Sequence, residues 1–331
     1  MIASEVTNDD IAKLQRDLET GVLGRRRRAD GSFHPSRTNA RLTRLACISL
    51  FKWAAEAGRK YVTASPCVNL PKLKKSTPRT RVLDPEEIKT LWHGLEHPDA
   101  PCSRPVALAI KFMLTIMLRQ AELLPTVVSE LQPISKYLPP RALLANNLPA
   151  DMAHVRVLNV PPPRVKKRRR IMQPLTPTAL QILEEAKQIA QHKGTDLLFS
   201  HDGENPLNAK ALGQALRGVK YKGKVKRLGI IEWLGMKKFT PHDLRRTAAT
   251  YAETWAGCSV GHIAYCLDHQ DNRDKEAVGT ESTGVYVLSQ HIPQKLDVLT
   301  KWEAELLHIV GADTMPAPTP ATTPQLLKLV A

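Results

Sequence analysis

The sequence has no apolar run long enough to cross a membrane. A span needs about 18 consecutive apolar residues, and the best stretch, Pro105 to Leu118, is cut by Lys111 and reads as a buried helix. The amino terminus lacks the basic region followed by an apolar one that marks a secretory signal, and carries Glu5, Asp9 and Asp10 instead. Cysteine is sparse: Cys47, Cys67, Cys102, Cys258 and Cys266 form no CxxC pair and no regular framework. That pattern excludes a disulfide scaffold and fits a reducing compartment. No internal repeat is present, which excludes a solenoid. The expectation is a cytoplasmic protein with no membrane attachment. Acid is also short, with 32 Asp and Glu against 48 Lys and Arg, a net charge of +16. An excess of that size points to a polyanionic partner.

What is present is ordinary globular material. The 331 residues are 42% hydrophobic and 24% charged, enough for roughly two domains with real cores. Residues 1–33 are polar, with the run Arg25 to Arg28, and are expected to be a partly disordered basic amino terminus. From His34 to Lys60, Leu42, Leu45, Ala46, Leu50, Trp53, Ala54 and Ala57 recur with a helical period, Ser36 as the cap and Gly58 as the stop. Basic residues outnumber acids heavily between Arg37 and Arg81, where Glu56 is the lone acid, and Arg37, Arg41, Arg44 and Lys52 are expected to touch phosphates. Pro66 to Arg81 reads as an extended linker, with a boundary near residue 80.

The second domain, 81–310, opens with Asp84-Pro85-Glu86-Glu87, a capping box, and continues with a helix from about Ser103 to Leu124. His154 to Val160 and Arg164 to Leu175 suggest a small edge sheet. Helices follow from Thr176-Pro177, from Thr240-Pro241 and from Ser259. Residues 311–331 form a Pro- and Thr-rich tail. His262, Cys266 and His269 share helical spacing that could place soft ligands on one face, but no fourth ligand is evident and packed side chains outweigh a metal. No metal site and no cofactor is assigned.

The most informative stretch is Thr240-Pro-His-Asp-Leu-Arg-Arg-Thr247. Its cap places His242 in the first turn and Arg245 one turn on, so imidazole, guanidinium and the positive end of the helix dipole share one face, an anion site by construction. Upstream, Thr115-Ile-Met-Leu-Arg119-Gln-Ala-Glu122 closes an apolar helix with an arginine; downstream, His269 ends a short helix and Tyr286 opens another.

Arg119, His242, Arg245, His269 and Tyr286, in this order, resemble the catalytic set of the tyrosine recombinases, the phage integrase family. The resemblance covers about residues 34 to 305. It implies a mainly α (α+β) fold, with a short helical core-binding module at 34–80 and a helical catalytic domain around a small antiparallel sheet at 81–310. It implies that Arg119 and Arg245 hold the scissile phosphate with His242 and His269, that Tyr286 is the nucleophile, and that a lysine of the basic run Arg164 to Arg170 is the general acid. Lys166 fits the family's spacing better than Lys167, and alternation of side chains along a strand would admit only one of them to the cleft. Lys167, Arg168, Lys222 and Lys224 are assigned to DNA contact, the last two within a basic cluster, Arg217 to Arg227, that reads as a loop on the DNA face.

The function implied is a site-specific recombinase or integrase that cleaves and rejoins duplex DNA through a 3′-phosphotyrosine, integrating or excising a mobile element, as a homotetramer on paired sites and associated with the nucleoid. The alternative is a truncated, catalytically inactive DNA-binding descendant, favoured by an amino-terminal side shorter than the family's. The chain also departs from the family at Met117, Ala121 and Asp268, where glycines are usual, and at Ser129 to Met152, an insertion with no assigned role.

Overall fold

The computed structural model describes residues 2–24, 26–28, 30–70, 80–146, 148–149, 152, 154–166, 168–221, 224–268 and 290–311. The chain divides at Thr80 into two compact units.

The first unit is built on α1, Asn8–Thr20, and α2, Arg37–Ala54. The amino-terminal stretch expected to be partly disordered therefore contains a capped helix. The Asp10 carboxylate accepts from the Thr7 amide at 2.9 Å, the Thr7 hydroxyl accepts from the Asp10 amide at 3.2 Å, and Gly21, at φ 87°, closes the other end. Ile11 packs in a small core with Phe51, Ala54, Val62 and Leu70. Ser36 caps α2 as expected, accepting from the Asn39 amide. Of the apolar stripe read from α2 only Ala54 enters this core, because Leu42, Leu45, Leu50 and Trp53 are exposed and the helix is buried instead at Ala40, Phe51 and Ala54. The linker also starts later than expected. The Asn8 side-chain amide donates to the Pro66 and Val68 carbonyls, and Arg44 donates to the Leu70 carbonyl at 3.1 Å, so residues 66–70 belong to the unit.

The second unit begins with α3, Pro85–Gly94, whose capping box forms as read, Asp84 accepting from the Glu87 amide at 2.9 Å. Its centre is α4, Arg104–Ile116, buried from Pro105 onward. Lys111, the one charge in that helix's apolar run, pairs with Glu96 and lies 4.2 Å from the Trp92 ring centroid. No helix among the described residues is long and apolar enough to cross a membrane. The helix expected to reach Leu124 instead breaks at Met117, which adopts φ 59°, and resumes as the single turn α5, Gln120–Leu123.

The Ser129 to Met152 insertion supplies β1, Leu131–Pro133, and α6, Pro140–Ala145. β1 pairs antiparallel with β2, Arg156–Val160, which pairs antiparallel with β3, Ile171–Pro174, in the order β1-β2-β3. Ile134 and Leu143 of the insertion pack with Val155, Val157, Ile292 and Leu296 in a second core. The described residues of 164–170 are connection between β2 and β3, not strand. Alternation of faces therefore does not decide between Lys166 and Lys167.

Helices α7, Pro177–His192, and α8, Ala211–Arg217, follow. The basic cluster expected to be a loop is a hairpin, β4, Val219–Tyr221, with β5, Lys224–Arg227. Then come α9, Ile230–Trp233, α10, Pro241–Thr254, α11, Val260–Cys266, and α12, Ile292–Val310. Trp302 of α12 is fully buried and donates to the Leu114 carbonyl at 2.9 Å, locking the last helix onto α4.

Candidate active site

Three chain breaks converge to make the site: the end of α4, the start of α10 and the end of α11. Met117 turns the chain out of α4, and Arg119 follows with extended backbone as the residue before α5. Glu122 then faces back, accepting from the Arg119 amide at 2.8 Å and from its Nη1 at 2.6 Å. The carboxylate is almost fully buried, which fixes the guanidinium by a charge-assisted bond shielded from water.

Thr240 and Asp243 start α10, the Asp243 carboxylate accepting from the Thr240 amide and hydroxyl, both at 2.8 Å. This cap aims Arg245 inward, where it is 2% exposed. Its Nη1 donates to the Met117 carbonyl at 2.5 Å and stands 3.8 Å from Glu122 Oε2, and its Nη2 donates to the Leu267 carbonyl. Arg119 Nη2 reaches the same Leu267 oxygen at 3.5 Å. The two arginines thus converge on one carbonyl, at the negative end of α11, with Glu122 between them. Burial above all, and the Arg119 charge next, push the Arg245 guanidinium down to about 10, so it stays charged at neutral pH. His242, exposed in the first turn of α10, is pushed below the usual imidazole value by desolvation and by Arg245, Arg246 and Arg119, with Asp243 opposing. A neutral imidazole beside two guanidiniums can accept a proton; the guanidiniums can stabilise a dianionic phosphorus centre without a divalent ion.

Two further residues belong to the cluster. Asp268 stands just past α11 at φ 46° and is 7% exposed. Arg169, in the β2–β3 connection, donates from Nε to Asp268 Oδ1 at 2.6 Å, and Asp268 Oδ2 lies 3.9 Å from Arg119 Nη1. Sequence reasoning gave neither Glu122 nor Arg169 a role. The signal for Glu122 was its position three residues after Arg119, a capping spacing; Arg169 had none beyond its charge.

Of the other expected residues, Lys166 and Arg168 are exposed in the connection, Arg37, Arg41 and Lys52 are exposed on α2, and Lys224 is exposed on β5. His269, Tyr286, Lys167 and Lys222 lie outside the described residues. Cys266, the centre of the weighed metal set, is fully buried and donates to the Lys295 carbonyl, and burial pushes its thiol up to about 12. Among the described residues no group of potential metal ligands occurs.

Residues 141–275 match the phage integrase family. The matched segment carries β2, β3 and α10, with His242 and Arg245 among its residues. No curated protein matches the sequence. Among solved structures, a lambda integrase (residues 75–356) dimer bound to a COC′ core site superposes with a TM-score of 0.55 at 16% identity, covering 84% of this chain and 81% of that one. XerH recombinase bound to a palindromic difH substrate gives 0.55 at 15%, covering 83% and 66%. The Tn1549 transposon integrase with circular intermediate DNA gives 0.51 at 14%, covering 86% of each. These likenesses place the chain in the recombinase fold, which is mostly helical with a small antiparallel sheet.

Proposed function

We propose that this chain is a site-specific integrase of the tyrosine recombinase family that cuts and rejoins duplex DNA through a 3′-phosphotyrosine on Tyr286, in the integration or excision of a mobile element. The observation that carries the reading is the convergence of Arg119 and Arg245 on the Leu267 carbonyl around the buried Glu122. Such an arrangement holds two bidentate cations at fixed spacing, the requirement for binding one phosphate through its non-bridging oxygens.

In the reaction, the Tyr286 oxygen forms a bond to phosphorus as the bond to the 5′-oxygen breaks. The phenol proton passes toward His242, and the leaving oxygen takes a proton from the lysine of the β2–β3 connection, Lys166 by the family's spacing. His269 donates to the phosphate. Rejoining is the same step reversed by a 5′-hydroxyl of another strand. The first unit and the basic residues Arg37, Arg41, Lys52, Lys167, Arg168, Lys222 and Lys224 act on the duplex backbone, whereas Arg44, first assigned with them, is held by the Leu70 carbonyl. The working assembly is a homotetramer on paired sites, acting at the nucleoid; a lambda integrase tetramer on a Holliday junction shares the fold at a TM-score of 0.54.

The test is covalent capture. Purified protein is incubated with sheared DNA from its own source and denatured in detergent, and the attached peptide and DNA are both sequenced. An adduct on Tyr286, lost in Tyr286→Phe while DNA binding persists, is the expected result. Binding with no adduct would instead identify a non-catalytic DNA-binding descendant.

A further inference from the structure

Both ends of the stretch between α11 and α12 are tied to one short piece of chain at the sheet. At the first end, Asp268 Oδ1 accepts from Arg169 Nε at 2.6 Å and also from its Nη2. At the second, Gln290 Oε1 accepts from the Met172 amide at 3.1 Å, and Lys295 Nζ donates to the Met172 carbonyl at 2.9 Å. Arg169 stands near the end of the β2–β3 connection, and Met172, three residues on, lies in β3.

Asp268 is an improbable residue for its place. Its left-handed backbone favours glycine, and a carboxylate with so little exposure is stable only when paired. It has that pairing on both oxygens, Oδ1 with Arg169 and Oδ2 facing Arg119 Nη1 at 3.9 Å. One side chain therefore spans from the basic connection to the arginine pair.

We propose that Asp268 is a positioning residue of strand transfer: it holds Arg169 and so fixes the return limb of the basic connection beside Arg119 and Arg245. Lys166 lies three residues before Arg169, within about 10 Å along an extended chain. Anchoring Arg169 limits where that lysine can go, and brings it to the leaving oxygen of the phosphate held by the arginines. This rests on the recombinase reading above.

Two readouts test it. The first needs no DNA: amide hydrogen exchange of residues 164–171 in the full chain. Asp268→Asn and Arg169→Gln should each raise exchange there by about tenfold, and the double variant no more than either alone, as coupled partners do. Unchanged exchange overturns the tether.

The second is the rate of adduct formation on the captured sequence, carrying oxygen or sulfur at the 5′-bridging position of the scissile phosphate. A thiolate leaves without a proton donor, so sulfur rescues any defect in delivering the lysine. Asp268→Asn and Arg169→Gln should lose about tenfold or more on oxygen and return to within about threefold of the unmodified protein on sulfur, as should alanine at the lysine itself. Arg169→Lys, which keeps a donor for Asp268, should retain most of the rate. Losses that persist on sulfur would show that the pair serves folding or phosphate holding, and full rates on oxygen would show that it serves nothing in the reaction; either result overturns the proposal. If the unmodified protein forms no adduct on either DNA, the recombinase reading falls and the reaction role of Asp268 falls with it, while the exchange measurement still judges the tether.

Discussion

Met117 stands on left-handed backbone at φ 59° where the family's glycine would stand freely, yet its side chain is fully buried. Two magnitudes compete there. Left-handed backbone costs a non-glycine residue roughly 1 to 2 kcal/mol, whereas deleting a buried methionine side chain costs roughly 2 to 5 kcal/mol. Packing wins, so Met117→Gly should destabilise the second unit by about 2 kcal/mol, read as a lower urea midpoint at unchanged slope; a raised midpoint would show that strain dominates. The same scale governs His242. Its depressed pKa keeps the ring from protonating near neutrality despite the acid that adjoins it in sequence. If the neutral ring takes the phenol proton, activity disappears as pH falls through that lowered value. Adduct formation should then stay level down to the ordinary imidazole range near 6.5 and decline only below it. A decline centred above 6.5 would exclude His242 as the base.

At the scale of elements, the placement of α12 depends on a lysine in an unfavourable place. Lys295 is buried, and desolvation pushes its ammonium down to about 8 from 10.5. Between those values the unfolded chain binds more protons than the folded one, so stability from this group rises with pH across that window. Below about pH 8 both states are protonated and the full penalty of burying the charge is present. Lys295→Met should therefore flatten the rise in unfolding free energy between pH 8 and 10.5, measured by chemical denaturation, and should not lower stability at pH 7 by more than the worth of the hydrogen bond to Met172, about 1 kcal/mol. A retained slope would assign it to another group. Elements such as α3, α7, α10 and α11 were legible because their caps are local: Asp84-Pro85, Thr176-Pro177, Thr240-Pro241 and Ser259 each announce a helix start within four residues. The break at Met117 was not, since nothing in an apolar run marks a left-handed methionine. Nor was β1, three residues long and recognisable only from its pairing with β2. His242 and Arg245 could be nominated from their spacing after the cap, and Arg119 from the family resemblance, but the Leu267 carbonyl on which the two arginines converge comes from a helix end distant in sequence.

At the scale of the molecule, a net charge of +16 becomes useful only where the cations are exposed and not already paired within the fold. Several basic residues are spoken for: Arg164 is bound to Glu130, Arg104 to Glu185, and Arg44 donates to the Leu70 carbonyl that closes the first unit. Arg41 and Lys52, by contrast, are exposed on α2, and Lys224 is exposed on β5. Counterion release makes each phosphate neutralised by a cation worth about 0.9 in the slope of log affinity against log salt. Arg41→Ala, Lys52→Ala and Lys224→Ala should therefore each weaken duplex binding regardless of sequence and flatten that slope by about 0.9 per substitution, measured by fluorescence anisotropy from about 50 to 200 mM salt. Arg44→Ala should act mainly on the stability of the first unit, because its guanidinium holds the end of the Leu70 segment. If the Arg41 and Lys52 variants keep the full slope while Arg44→Ala flattens it, the DNA face of α2 has been assigned to the wrong side of the helix, and the exposed stripe of Leu42, Leu45 and Trp53 would then have to lie away from the duplex.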